Sequence, residues 1–357
     1  RQAMHAAPMH TLEQQLSLML KEVYEFTEFA GESYRVQADG GFQSVSPDGV
    51  IAGWDWVDGI LAPVTWDLSG TRTALDTGDI QFARSWPLVA GANGYLAGSL
   101  AETGADDSPI IGVLWSNGNP TRLDAAGAST VGARAVNGNG VVGGVVDAIA
   151  TRWVDGKPEQ LPVPDGAEGT LVLALAENGD AYGCAYDAEG YALSLFRWKK
   201  DGFSEQIELP AQVTANGLEQ LYPPQFAGFF EDGGFVFSLS WVDALGYASG
   251  SWIYGQGEPQ AVVSSAEDTE ANVNFAPSTA DMFGSMDQAT GAPTGFIGPT
   301  RWIDGVPYSL KDATALPADV TYFSIRGVTS DGVIVASTFV SGSTPYPAYI
   351  LVIRPTA

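Results

Sequence analysis

One cysteine, Cys184, occurs in 357 residues, so no internal disulfide can form. That fits a cytoplasmic protein or a bacterial exported one and argues against a disulfide-stapled secreted domain. Histidine is almost as scarce. His5 and His10 both precede residue 11, which excludes a Ser-His-Asp or Cys-His centre in the body of the chain, and a His-rich zinc site with it. Positive charge is short too: 16 Lys and Arg stand against 42 Asp and Glu, a net charge of −26. Such a surface repels nucleic acid and anionic membranes and favours cations, basic proteins or neutral ligands such as sugars. Its plainer role is to keep a 45% hydrophobic chain in solution. No apolar run reaches the roughly 18 residues of a membrane span. No signal-peptide pattern follows Arg1, though earlier removal of a signal would leave the same picture. Nucleotide-binding loops and the D-x-[DN]-x-[DN]-G calcium loop are missing. No cofactor is implied, and calcium stays open as a ligand.

What the chain does contain is a repeat. An apolar stretch enters a Gly/Asn/Asp turn, and a second apolar stretch ends on a small residue. The copies are SVSPDGVIAG (44–53), VAGANGYLAG (89–98), AVNGNGVVGG (135–144), ALAENGDAYG (174–183), GFFEDGGFVF (228–237), FAPSTADMFG (275–284) and GVTSDGVIVA (327–336). Their turn positions, Gly49, Gly94, Gly140, Gly179, Gly233, Ala280 and Gly332, recur about every 45 residues. Asp-Gly and Asn-Gly between short apolar runs signal a hairpin, because both residues tolerate positive φ. A strand ending in tryptophan follows, then a turn and a leucine. WSNGNPTRL (115–123), WVDGKPEQL (153–161) and WIDGVPYSL (302–310) share this without a gap; Trp66, Trp198 and Trp252 open looser versions.

Each unit therefore supplies four short strands, here called a to d. A lone four-stranded sheet buries too little apolar area, and stacking on neighbours buries both faces. The expected fold is all-β: a seven-bladed β-propeller of four-stranded blades over residues 32–357. The seventh unit ends after strand c. SYRVQA (33–38) is expected to supply its strand d, closing the propeller by pairing an N-terminal strand with the last blade.

The pattern of small residue, apolar residue, Asn or Asp, Gly, two apolar residues and Gly, then a Trp-ended strand, an x-x-G turn and Leu, resembles the bacterial extracellular HAF-repeat proteins. GARAVNGNGVVGG (132–144) with TRWVDGKPEQL (151–161) is the nearest copy, and the resemblance spans 42–354. It implies a propeller and a periplasmic or extracellular location. It carries no catalytic motif. Phe237 and Ala280 stand where units five and six should have Gly.

Residues 1–31 read as a leader followed by a short amphipathic helix over 11–30. Thr11 and Gln14 have capping-box spacing, and Leu12, Leu16, Met19, Leu20, Val23 and Phe26 make one stripe. The helix packs on the propeller or serves as a docking or dimerising element.

The b–c loops often begin with a carboxylate: Asp55, Glu102, Asp147, Asp187, Asp243 and Asp287. Trp54, Trp56 and Trp241 stand near them. Each carboxylate either caps its own turn or contributes to an acidic, Trp-bearing rim. Such a rim suits sugar rings, which stack on Trp while carboxylates accept their hydroxyls, and it also suits a cation or basic peptide. Arg134 and Arg326 precede the small residue of strand a and face either a channel mouth or a neighbouring blade. The expected function is non-enzymatic binding of a glycan or protein partner, with exposed Trp54 and Trp241. The alternatives are a glycan-active enzyme using two of Asp55, Asp147, Asp187, Asp243 and Asp287, and a scaffold that docks or oligomerises through the N-terminal helix.

Overall fold

The computed structural model describes residues 23–28, 44–85, 88–255, 257–263, 269–288, 298–310, 323–339 and 348–354. The fold is all-β, with seven four-stranded blades, a seven-bladed β-propeller. The chain divides into two compact units, Ala30–Glu208 and Arg1–Phe29 with Leu209–Ala357.

Ala30–Glu208 holds four blades. Blade 1 uses Ser44–Val45, Ile51–Val57, Ile60–Trp66 and Arg72–Ala74; blade 2 uses Val89–Ala90, Tyr95–Ala101, Ile110–Ser116 and Asn119–Arg122. Arg84–Ser85 pairs with strand b of blade 2 and meets Leu61 of blade 1, so the two blades form one nine-stranded sheet. Blade 3 uses Val131–Val136, Val142–Val146, Ile149–Val154 and Lys157–Gln160; blade 4 uses Gly169–Leu175, Ala181–Tyr186, Ala192–Trp198 and Ser204–Ile207.

The other unit holds blade 5 (Gln225–Phe229, Phe235–Asp243, Gly246–Tyr254, Gln260–Ala261) and blade 6 (Thr269–Ser278, Asp281–Gln288, Gly298–Ile303, Val306–Ser309). Blade 7 takes Phe323–Val328, Ile334–Phe339 and Ala348–Arg354 from the end of the chain, and Val23–Glu28 pairs antiparallel with Ala348–Arg354.

That pairing corrects the helix expected over 11–30, at least for its end. Val23, Tyr24, Phe26 and Thr27 are good strand formers, and an open apolar edge, Tyr349–Arg354, offers them a full ladder. Tertiary pairing outweighs the helical stripe. The rest of the expected helix and the segment 33–38 lie outside the described residues.

Why the repeat folds this way is visible in its turns. All six repeat turn glycines have φ between 77 and 95°. Asn117-Gly118, Asp155-Gly156 and Asp304-Gly305 have two positive φ values in succession, the type I′ turn that matches strand twist. The glycine closing the motif has a different cause: a Cβ on Gly144, Gly183 or Gly284 would run into the carbonyl oxygen of Gly132, Leu171 or Asn272 on strand a. Those carbonyls lie where strand a bulges. The register skips at Arg134, Leu173, Ala227, Asn274 and Arg326 in blades 3 to 7. A bulge re-aims the extra side chain, which lets a polar residue stand just before the small position in blades 3, 6 and 7, where it is Arg134, Asn274 and Arg326.

The apolar interior is distributed between neighbouring blades. One cluster packs Val131, Ala133, Val142 and Trp153 against Ala97 and Leu123; another packs Ala271, Val273 and Trp302 against Val236 and Val262. The six repeat tryptophans are buried, none more than 3% exposed. Five of them donate their Nε1–H to the segment leading out of a preceding strand d: Trp115 to Asp76 O, Trp153 to Asp124 O, Trp198 to Pro162 O, Trp252 to Gln212 Oε1 and Trp302 to Val263 O, at 2.6–3.3 Å. Trp115, Trp153, Trp198 and Trp302 thus pack between neighbouring blades and fix the chain that joins them.

Candidate functional site

The b–c hairpin of blade 5 is longer than those of blades 1 to 4, with nine residues in each strand. Alternation splits its residues between two faces. Phe237, Leu239, Trp241 and Trp252 are buried on one. On the other, Ser238 lies opposite Ser251, Ser240 opposite Ser249, and Val242 opposite Tyr247. The buried serines at the base are structural. Ser238 and Ser251 bond each other at 2.5 Å, and their hydroxyls meet Val273 O at 2.7 Å and Ala271 O at 2.8 Å. They clamp strand a of blade 6 onto blade 5.

Above this clamp the two blades separate into a cleft of about 400 Å³. Ser240, Ser249 and Tyr247 line one wall. Glu270, Asn272 and the bulged Asn274 line the other, with Asp287 from strand b of blade 6. Asn274 Nδ2 donates to Gln225 Oε1 at 2.8 Å, closing one end. Glu270 accepts the backbone N–H of Ser249 at 2.8 Å and its hydroxyl at 2.9 Å, and Asp287 accepts Asn272 Nδ2 at 2.6 Å. Glu270 and Asp287 are direct cross-strand partners.

Burial pushes the Glu270 carboxyl above its ordinary value; the two bonds from Ser249 pull it back, and the charge of Asp287 pushes it further up. Burial likewise raises Asp287, opposed by the Asn272 bond. Among the described residues, no Lys, Arg or His lines the cleft. The sequence says the same on a larger scale: residues 201–300 contain 13 Asp and Glu and no Lys, Arg or His.

Of the residues expected at a binding face, the structure brings only Asp287 to this cleft. The exposure expected of Trp54 and Trp241 is corrected: they are 3% and 5% exposed, because both point to the buried side of a strand b. Trp56 remains half-exposed. Asp55 is fully buried and pairs with Arg72 at 2.8 Å. Asp147 accepts the backbone N–H groups of Ser129 and Thr130, Asp187 those of Glu189 and Tyr191, and Asp243 that of Leu245 together with the Trp241 indole. These four are structural partners, and Glu102 pairs with Arg122 at 3.7 Å, so the acidic rim apart from Asp287 resolves into turn caps and two ion pairs. Arg134 is exposed, and Arg326 donates to Ser337 Oγ at 2.8 Å. The carboxylate pair that the enzyme alternative needs is not drawn from its five candidates; Asp287 faces Glu270 instead.

Sequence reasoning missed Glu270 and the serine face. Glu270 lies just ahead of the matched repeat copy, and the alternating Ser238, Ser240, Ser249 and Ser251 form no motif in the sequence. The run of one hundred residues without a cation was the available signal.

Among the described residues, no group of three or more His, Cys, Asp or Glu is placed to hold a metal ion. No protein-family model matches the chain, and no curated protein matches it. Solved structures do. A prolyl endopeptidase is similar over 98% of this chain and 50% of its own, at 12% identity and TM-score 0.56. An oligogalacturonate lyase in complex with manganese is similar over 93% of this chain and 91% of its own, at 12% identity and TM-score 0.51. The likeness is one of fold alone. It agrees with the propeller blades described above and carries neither the peptidase nor the lyase activity to this protein.

Proposed function

We propose that this propeller is a non-enzymatic binding module and that the cleft between blades 5 and 6 is its recognition site for a protein partner. The observation that carries the reading is a polar cleft with two half-buried carboxylates whose hydrogen-bond donors are all neutral. Such a site satisfies a ligand rich in donors. A glycan met that description while Trp54 and Trp241 were expected to be exposed as stacking platforms. With both indoles buried, a protein segment is the better match. The HAF-like repeats support a periplasmic or extracellular setting for the encounter.

A second reading rests on the same pair. Two carboxylates with raised proton affinity also suit general acid and base chemistry on a glycan. One screen separates the two. The full chain, beside a Glu270→Gln/Asp287→Asn variant, is presented to a random dodecapeptide library and to a glycan array, with released sugar measured. Peptide binding that the variant loses is the expected outcome. Glycan binding alone overturns the protein partner, sugar release lost in the variant establishes the enzyme, and no cleft-dependent binding of either kind overturns the recognition role.

A further inference from the structure

We propose that the cleft takes a basic, apolar peptide segment: a lysine or arginine cation enters between Glu270 and Asp287 while an adjacent apolar side chain packs on Leu245 and Tyr247. This rests on reading the cleft as a recognition site and names what it recognises.

The charge argument comes from comparison within the protein. Three other partly or wholly buried carboxylates hold a guanidinium of their own: Asp55 with Arg72 at 2.8 Å, Asp180 with Arg197 at 3.0 Å and Asp281 with Arg301 at 2.7 Å. Asp243 and Asp187 meet neutral donors only, but each stands without a second carboxylate opposite it. Glu270 and Asp287 receive only neutral donors, from Ser249 and Asn272. Like charges directly opposite across a ladder are unfavourable, and burial sharpens the penalty. The segments that flank this pair offer no relief, since 264–268 and 289–297 contain no Lys, Arg or His and the first adds Glu267 and Asp268. A cation arriving from outside would meet a field of one sign over blade 5 and the first two strands of blade 6, which speeds its approach and holds it on arrival.

The apolar argument comes from the same hairpin. Leu245 at its tip is 73% exposed, and Tyr247, two residues on, is 53% exposed while lining the cleft. The Tyr247 ring stands 6.3 Å from that of Tyr222, which steadies it as a flat contact. A long hairpin that holds a leucine out in solvent beside an anionic cleft offers an anchor and a charge clamp to one extended segment. Among the described residues a bare metal ion finds no third carboxylate here, and a neutral sugar makes no use of Leu245.

The test uses the capped tripeptide Leu-Lys-Leu, its norleucine counterpart and its glutamate counterpart, titrated into the full chain while backbone amide resonances are followed. The lysine peptide is expected to shift resonances within 238–249 and 270–287, more weakly at high salt. The norleucine peptide is expected to bind about tenfold more weakly or worse, and the glutamate peptide not to bind. Glu270→Gln/Asp287→Asn should erase the preference for lysine, and Leu245→Ser should weaken the lysine and norleucine peptides alike. Equal binding of those two peptides at the cleft refutes the cation while leaving the recognition role standing. No shift at the cleft with any of the three, into the millimolar range, overturns the inference, and the library screen then decides separately whether the cleft binds any partner.

Discussion

Glu270 and Asp287 stand directly opposite one another on adjacent antiparallel strands of blade 6, both partly buried, with neutral donors for company. Their mutual repulsion makes the folded protein less stable than it would be with neutral side chains at these positions. Glu270→Gln retains an oxygen to accept the two Ser249 bonds, and Asp287→Asn retains one for Asn272. Each is therefore expected to raise Tm at neutral pH, by about 1–3 °C for a gain within about 1 kcal/mol. The sign with pH follows from the raised carboxyls. The folded state binds these protons more tightly than the unfolded chain, so their contribution is most favourable at low pH. It declines as pH climbs from ordinary carboxylate values through the raised ones. Thermal melts of the wild type and double variant across that window should converge at the acid end and diverge above it. A lower Tm for both single variants at neutral pH would contradict this.

The inter-blade indoles lead to a second expectation. Trp153 is fully buried and donates to Asp124 O at 2.9 Å. Trp153→Phe keeps most of the ring, orphans that carbonyl and leaves a void, costing about 1–3 kcal/mol. Trp56, at 38% exposure, should tolerate the same change within about 0.5 kcal/mol. Urea denaturation of the two variants measures the contrast, and equal losses would count against the role given to the repeat tryptophans.

How much of this was readable beforehand depended on whether the cause was local. Gly49, Gly140 and Gly332 announce their turns because only a few residue types accept positive φ, and Trp115, Trp153 and Trp302 recur because each fills the same kind of gap against the blade before its own. The strand at Val23–Glu28 was hidden because its residues also fit a helical stripe, and its partner lies more than 300 residues away in the chain. Asp55 and Asp243 looked like a rim because sequence does not show that Arg72 or the Leu245 amide meets them. Asn274 and Glu270 share one strand, but the residues they meet across the cleft, Gln225 and Ser249, belong to another blade, a pairing that sequence spacing does not reveal.

Arg152 is 1% exposed and ties blade 3 to blade 4. Its guanidinium donates to Gly179 O at 2.8 Å, Trp198 O at 3.2 Å and Lys199 O at 3.1 Å, and it pairs with Glu159. Arg152→Met fills much of the volume and leaves carbonyls of blade 4 without their donor, a loss of about 2–4 kcal/mol by denaturant unfolding. Arg134→Met, at an exposed bulge, serves as the comparison and should change stability little.

Cys184 is fully buried on strand b of blade 4, and burial pushes its thiol up to about 12. At neutral pH it is neither exposed nor ionised, so a thiol reagent should label it only after global unfolding. Rapid stoichiometric labelling of the native protein would show that blade 4 opens, or packs, differently from the arrangement described.

The proton affinities of Glu270 and Asp287 test the cleft most directly. Carboxyl carbon resonances of the two residues, followed through a pH titration with and without the lysine tripeptide, report both their burial and their response to a cation. The expected result is titration of both groups above ordinary carboxylate values in the free protein, falling when the peptide binds. Ordinary values in the free protein that the peptide leaves unmoved would contradict the account of this cleft as a pair of uncompensated charges awaiting a basic partner.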